Sequence, residues 1–179
     1  TLNLEKIYKN GNFEDKPLTL ITKDIINKIL EKPTSENTII HSKPAIGIIN
    51  GLYATSNGDG GIIPIQIFNN FSSSDKFELK LTGKQGDVMK ESVQCALTTA
   101  IDYIRRNSKK YKIENIDKYL LKNFKNGFHI HCPETATPKD GPSAGGAFTS
   151  CFISRILKKE IKNNVAMTGE IDLMGRITK

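Results

Sequence analysis

Residues 138–148 read PKDGPSAGGAF, and the run that follows from Ser143, SAGGAFTSCFISRILKK, most constrains what this chain can fold into. Ala147, Phe148, Cys151, Phe152 and Ile156 recur at helical spacing, with no charge before Arg155. A helix this apolar has to be enclosed, so the rest of the chain must supply layers around it. Pro138 and Pro142 stiffen the approach, and Gly141 permits a backbone angle that other residues avoid. Ser143 therefore stands on a rigid loop where a buried helix begins.

The layers are legible elsewhere. The segment GDVMKESVQCALTTAIDYIRR predicts the clearest helix, with Met89, Val93, Ala96, Leu97, Ala100, Ile101 and Ile104 forming one apolar stripe. Asp87 is placed to cap its start, and Arg105 and Arg106 suit its C-terminal dipole. IENIDKYLLKNF predicts a shorter helix with Ile113, Ile116, Leu120 and Phe124 inward. AIGIINGLYAT, NGDGG and IIPIQIF read as strand, turn and strand, with Pro64 suited to an edge or a bulge. FSSSDKFELKLTG reads as a further hairpin-like return in which Phe77, Leu79 and Leu81 alternate with polar residues. In GFHIHCP, Phe128, Ile130 and Cys132 share one strand face and His129 and His131 the other. NNVAMTGEIDLMGRIT ends the chain as a strand, a turn at Gly169 and another strand. Near the N-terminus, Ile25, Ile26, Ile29 and Leu30 predict a helix from Thr22 to Lys32, with Thr22 as N-cap and Pro33 as stop. Helices and strands mix without regular βαβ alternation, so the fold class is α+β, a mixed α/β arrangement. The expected organisation is a linker or the tail of an upstream domain over 1–17 and one domain over 18–179, in a chain that starts at Thr1 and reads as a fragment or processed product.

The 37% hydrophobic and 25% charged composition is that of a globular soluble domain. No apolar run is long enough to cross a bilayer, and no secretory signal pattern is present. Cys95, Cys132 and Cys151 are too few and scattered for a disulfide framework, which points to free thiols in a reducing, intracellular compartment. The net charge of +7 comes mostly from dispersed lysines rather than an arginine- and aromatic-rich stripe, so specific nucleic-acid binding is not expected.

Three chemistries compete for Ser143. Amides and the positive end of a helix dipole converge at such a place, which stabilises negative charge. That charge could be the oxyanion of acyl transfer on a nucleophilic serine, or a bound phosphate. The third reading is an ordinary N-cap. Gly145 and Gly146 argue against the cap alone, since each costs about 1 kcal/mol in a helix. They make sense where something approaches the backbone closely.

TPKDGPSAGGA resembles the active-site signature of the Lon-type ATP-dependent proteases. LTGKQGDVMKESVQCAL (81–97), FHIHCPETATPKDGPSAG (128–145) and VAMTGEIDLMGRI (165–177) resemble further blocks of that family, in order and at compatible spacing. The resemblance covers roughly residues 20–179 and points to the soluble branch. It implies a Ser–Lys peptidase of the Lon proteolytic-domain fold, with Ser143 as nucleophile, Thr168 orienting the lysine, and Asp140 shaping the active-site loop. The lysine must be neutral to take the serine proton, which burial and nearby positive groups can arrange. For the full-length protein the resemblance implies an upstream ATPase module using ATP and Mg, a homo-hexameric ring, unfolded protein substrates, and a cytoplasmic or mitochondrial-matrix location. This domain needs no cofactor, no metal and no membrane, and it contains no P-loop.

The sequence also departs from the family pattern. The family's lysine follows a block that this chain does not reach before Lys179, so the fragment is expected to be nearly inactive. Ala54 stands where the family usually has tryptophan, and Gln66 where it usually has glutamate. The weighed alternatives are a catalytically inactive assembly or binding homologue and a small-molecule kinase holding phosphate in the Gly-rich loop. His129 and His131 lack a third ligand for zinc, Cys132 and Cys151 lack a histidine partner for nucleophilic catalysis, and NGDGG lacks the spaced acids of a calcium loop.

Overall fold

The computed structural model describes residues 8–9, 12–13, 22–24, 26, 42–54, 60–73, 76–133 and 139–178. The chain divides into two compact units, Thr1–Asn37 and Thr38–Lys179. In the first, strand β1 (Tyr8–Lys9) pairs antiparallel with β2 (Asn12–Phe13). Lys23, Asp24 and Ile26 are helical, and the Ile26 amide donates to the Thr22 carbonyl at 3.0 Å. Ile25, Ile29, Leu30 and residues 55–59, which include the first three residues of NGDGG, lie outside the described residues.

The second unit contains β3 (Ala45–Ile46), β4 (Ile48–Ala54), β5 (Gly60–Asn69), β6 (Glu78–Thr82), α1 (Asp87–Arg106), α2 (Ser108–Tyr111), α3 (Ile116–Asn123) and β7 (Gly127–His131). There follow α4 (Gly145–Leu157), β8 (Glu160–Ile161), β9 (Ala166–Met167), β10 (Glu170–Ile171) and β11 (Ile177–Thr178). A five-stranded mixed sheet runs β6-β7-β5-β4-β9, and β3 with β8 and β10 with β11 form two-stranded pairs. No helix among the described residues is long and apolar enough to cross a membrane.

Helix α4 is the centre of the unit, as its composition requires. It packs against α1 on one side and against β4 and β5 on the other. Ala147, Phe148, Cys151, Phe152 and Ile156 are wholly buried. Each enclosed phenylalanine contributes about 1.5–3 kcal/mol relative to exposure. The α1 stripe is buried as the spacing predicts, with Ile101 half-buried at its margin. Phe128, Ile130 and Cys132 of the β7 segment face this core, and His129 and His131 point to the other side.

Several local readings are corrected. AIGIINGLYAT is two strands, not one: Gly47 turns the chain at φ +70°, and a Cβ there would sit 2.4 Å from the Ile67 carbonyl oxygen. FSSSDKFELKLTG does not fold back as a hairpin; β6 runs parallel to β7 at the sheet edge, and α1, α2 and α3 make the crossover. Period-2 alternation fixes a strand's faces but not its partner. Pro64 lies on an interior strand, but β5 pairs with β7 only over Gln66–Asn69. At Pro64 no strand among the described residues pairs with that side of β5, so the missing N–H leaves no gap in the described ladder. The strand after Gly169 pairs with β11, whereas β9 before it joins the large sheet beside β4. Asp87 does not cap α1: the N-cap is Gly86, and Asp87 pairs with Lys90 instead.

Candidate active site

The loop entering Ser143 is held to the start of α1. Lys139 bridges Gln85 in parallel fashion; its amide donates to Lys84 O at 3.0 Å, and its carbonyl accepts from the Gly86 amide at 2.7 Å. Asp140 then turns its carboxylate onto the helix, where Oδ1 accepts the Met89 amide at 2.9 Å and the Gly141 amide at 2.9 Å. Met89 is the third helical residue, so Asp140 supplies from a distant loop the cap that Gly86 cannot. Gly141 has φ +116°, and a Cβ there would meet nothing within 4 Å, so backbone angle alone demands glycine at this position.

Ser143 is exposed, and its Oγ makes no hydrogen bond among the described residues. The N-cap reading fails on position: the helix starts at Gly145, the cap residue is Ala144, and no side chain caps it. Ala144 has φ −87° and ψ 0°, the bridge region in which many active-site residues sit. The two carbonyls flanking the serine are pinned. Pro142 O accepts from the Gly145 amide at 3.0 Å and from Ser92 Oγ at 3.2 Å. Ser143 O accepts from the Gly169 amide at 2.5 Å and from Thr168 Oγ1 at 3.3 Å. The amides of Ser143 and Ala144 donate to no group among the described residues. Thr168, 25 residues away in sequence, thus meets Ser143 at the N-terminal end of α4, on the loop that Asp140 holds to α1.

The close approach that Gly145 and Gly146 allow is made by the chain itself. A Cβ on Gly145 would lie 2.9 Å from the Ile171 backbone nitrogen and 3.2 Å from Ser92 Oγ. On Gly146 it would lie 2.8 Å from Ile177 Cδ1 and 3.2 Å from Met167 Sδ. The Gly146 amide donates to Gly169 O at 2.9 Å, and the Gly145 amide is bound to Pro142 O. The amides of Gly145 and Gly146 are therefore already engaged, which leaves those of Ser143 and Ala144 to meet any anion at this helix end.

None of the other candidates hydrogen-bonds to Ser143, Thr168 or Asp140 among the described residues. His129 Nε2 and His131 Nδ1 both contact Thr82 Oγ1, at 2.9 and 2.7 Å. No group of three or more potential metal ligands occurs among the described residues. Burial pushes the Cys132 thiol up to about 12 and raises that of Cys151 as well, so neither forms a thiolate at neutral pH. Gln66 is half-buried on β5, opposite His131.

Sequence reasoning missed Ser92 and Thr99, both buried on α1. Thr99 Oγ1 donates to Asp172 O at 3.2 Å, tying α1 to the segment that carries Thr168. The signal was present: both hydroxyls interrupt an otherwise apolar helical face, and a buried polar group needs a partner.

Comparison with known proteins identifies the family of the chain. The family model for the Lon protease (S16) C-terminal proteolytic domain matches residues 20–179. A Lon protease homolog of Acanthamoeba polyphaga mimivirus is 53% identical over 177 residues, covering 97% of this chain and 16% of the relative. The Lon protease of Lachnoclostridium phytofermentans is 45% identical over 157 residues, covering 88% of this chain and 18% of that protein. That of Clostridium acetobutylicum is 38% identical over 164 residues, covering 92% and 19%. The chain thus spans less than a fifth of the length of these relatives.

Proposed function

Because the chain belongs to the Lon protease (S16) family, we propose that it is the serine endopeptidase domain of an ATP-dependent protease, with Ser143 as nucleophile and a lysine from outside residues 1–179 as base. The observation that supports this most is the pinning of both carbonyls around an exposed serine. In a trans peptide the N–H points opposite to the C=O. The Ser143 and Ala144 amides are therefore directed away from their pinned carbonyls, with no competing acceptor among the described residues.

The chemistry follows from those groups. A neutral lysine amine takes the Ser143 Oγ proton as Oγ bonds to the carbonyl carbon of a peptide. The carbonyl oxygen becomes an oxyanion, stabilised by the two free amides and the positive end of α4. Collapse breaks the C–N bond, and the lysine returns its proton to the leaving amine. Water then attacks the acyl-enzyme by the same route and frees Ser143. Thr168 Oγ1 uses its proton on Ser143 O and keeps lone pairs that can accept an N–H from the lysine, which fits an orienting role. Asp140 acts on loop conformation, not proton transfer.

At the level of the whole protein, ATP and Mg serve an ATPase module elsewhere in a homo-hexamer, which delivers unfolded protein substrates to this site. Peptide-bond cleavage itself requires neither.

The test is Ser143→Ala in the full-length protein. Peptide hydrolysis falls by about a thousandfold or more, and ATP hydrolysis persists. Continued casein degradation by that variant overturns the assignment. Residues 1–179 alone are expected to be inert toward fluorogenic peptides; robust turnover would place the base within them, with Lys139 the first residue to replace.

A further inference from the structure

We propose that Ser92 is a positioning residue for the reaction at Ser143, setting the direction of the first oxyanion-binding amide; this rests on the reading of Ser143 as nucleophile. Ser92 is 7% exposed, on the α1 face one turn beyond Met89, whose amide Asp140 holds. Its hydroxyl donates to Pro142 O at 3.2 Å. The peptide bond concerned joins Pro142 to Ser143, and the chain has no cis peptide among its described residues. With the carbonyl drawn inward to α1, the Ser143 N–H is turned outward, where the Ser143 side chain is exposed.

The Gly145 amide binds the same carbonyl at 3.0 Å, so loss of the Ser92 hydroxyl does not orphan it. What is lost is the second direction of restraint. A carbonyl held by one donor can swing about that bond, and its amide swings with it. An oxyanion donor acts through preorganised placement, so freedom at that amide weakens transition-state stabilisation more than it weakens the fold. Gly145 is part of the same device. The absence of its Cβ lets Ser92 Oγ come within 3.2 Å of where that atom would stand and so reach Pro142.

The test compares Ser92→Ala, Ser92→Cys and Ser143→Ala in the full-length protein, with a fluorogenic peptide as substrate and a peptide boronate as a tetrahedral adduct that presents an oxygen to the amides. Ser92→Ala is expected to lower kcat about tenfold and to leave KM within about twofold. Boronate affinity falls by the same factor as kcat/KM, and ATP hydrolysis is unchanged. The thermal midpoint moves by no more than about 4 °C. Ser92→Cys, which keeps a weak donor, recovers part of the loss. An unchanged kcat in Ser92→Ala overturns the positioning role, as does a kcat loss that boronate affinity does not follow. If Ser143→Ala still hydrolyses peptide, the nucleophile reading falls first. If Ser143→Ala is inactive and Ser92→Ala is fully active, only the inference about Ser92 fails.

Discussion

Asp140 caps the helix that begins at Asp87, although 51 residues separate it from Met89, whose amide it accepts at 2.9 Å. The same oxygen accepts the Gly141 amide, so one carboxylate fixes both the start of α1 and the loop that carries Ser143. Asp140→Ala is therefore expected to destabilise the domain by about 1 kcal/mol and to lower peptide hydrolysis as the loop loosens. Asp140→Asn keeps an acceptor oxygen and should retain most of both. Thermal denaturation and peptide assays on the two variants separate a conformational role from a chemical one. If asparagine proves as damaging to activity as alanine while stability holds, the negative charge matters and the loop role is insufficient.

Gly145 and Gly146 adjoin in sequence but should respond differently to a methyl group. At Gly145 the new carbon meets the Ile171 backbone nitrogen at 2.9 Å, so the 168–171 segment itself must move. Gly145→Ala is expected to destabilise by about 2–3 kcal/mol. At Gly146 the clash is with the ends of the Ile177 and Met167 side chains, which can swing away. Alanine's better helix propensity, worth up to about 1 kcal/mol, offsets part of that strain. Gly146→Ala should therefore stay within about 1 kcal/mol of the unsubstituted protein. Urea denaturation of both variants checks the order; a larger loss at Gly146 would contradict the packing described.

The difference between what the chain reveals and what it hides follows from range. The buried faces of α1 and α4 were legible because each depends on side chains three and four residues apart. The β7 faces were legible for the same local reason. Partners were not: nothing in FSSSDKFELKLTG states that β6 lies beside β7 in parallel, because β7 comes 45 residues or more later. Asp87 looked like the cap of α1 because the true cap arrives from the far side of the crossover. The two glycines after Ser143 signalled a close approach, but the approaching group, the 167–171 segment, is fixed only by tertiary packing. Thr168 entered the sequence reading through family resemblance alone. Its distinction in the structure is the contact to Ser143 O, 25 residues away.

Arg155 secures the other end of α4. Its Nε and Nη2 donate to Ile67 O and Ile46 O at 2.6 and 2.8 Å, and its guanidinium carbon lies 4.3 Å from the Phe68 ring centroid. Those carbonyls belong to β5 and β3, so a forked side chain joins two sheets that meet at the Gly47 turn. A lysine ammonium cannot reproduce two directed bonds together with flat stacking. Arg155→Lys is expected to lower stability by about 1–2 kcal/mol, with Arg155→Ala lower still. Chemical denaturation measures both; a neutral lysine variant would show that the fork contributes little.

His129 makes stability depend on pH. Burial, first, and then the charges of Lys80 and His131 hold its imidazole below the ordinary histidine value. Thr82 Oγ1 meets both His129 Nε2 and His131 Nδ1, and one hydroxyl proton can serve only one ring, so the other ring must donate back. Lys80 and His131 bring positive charge to this sheet face, and Phe68, opposite His129 on β5, offers no anion to balance it. The unfolded chain therefore binds a proton more readily than the folded one. The contribution is fully present above the unfolded value of about 6.5 and declines as pH falls below it, levelling once the folded group is also protonated. Between about pH 7.5 and pH 5.5, the unsubstituted domain should lose more stability than His129→Gln. Denaturation midpoints at the two pH values provide the comparison, and parallel losses in the two proteins would show that His129 is not the responsible group.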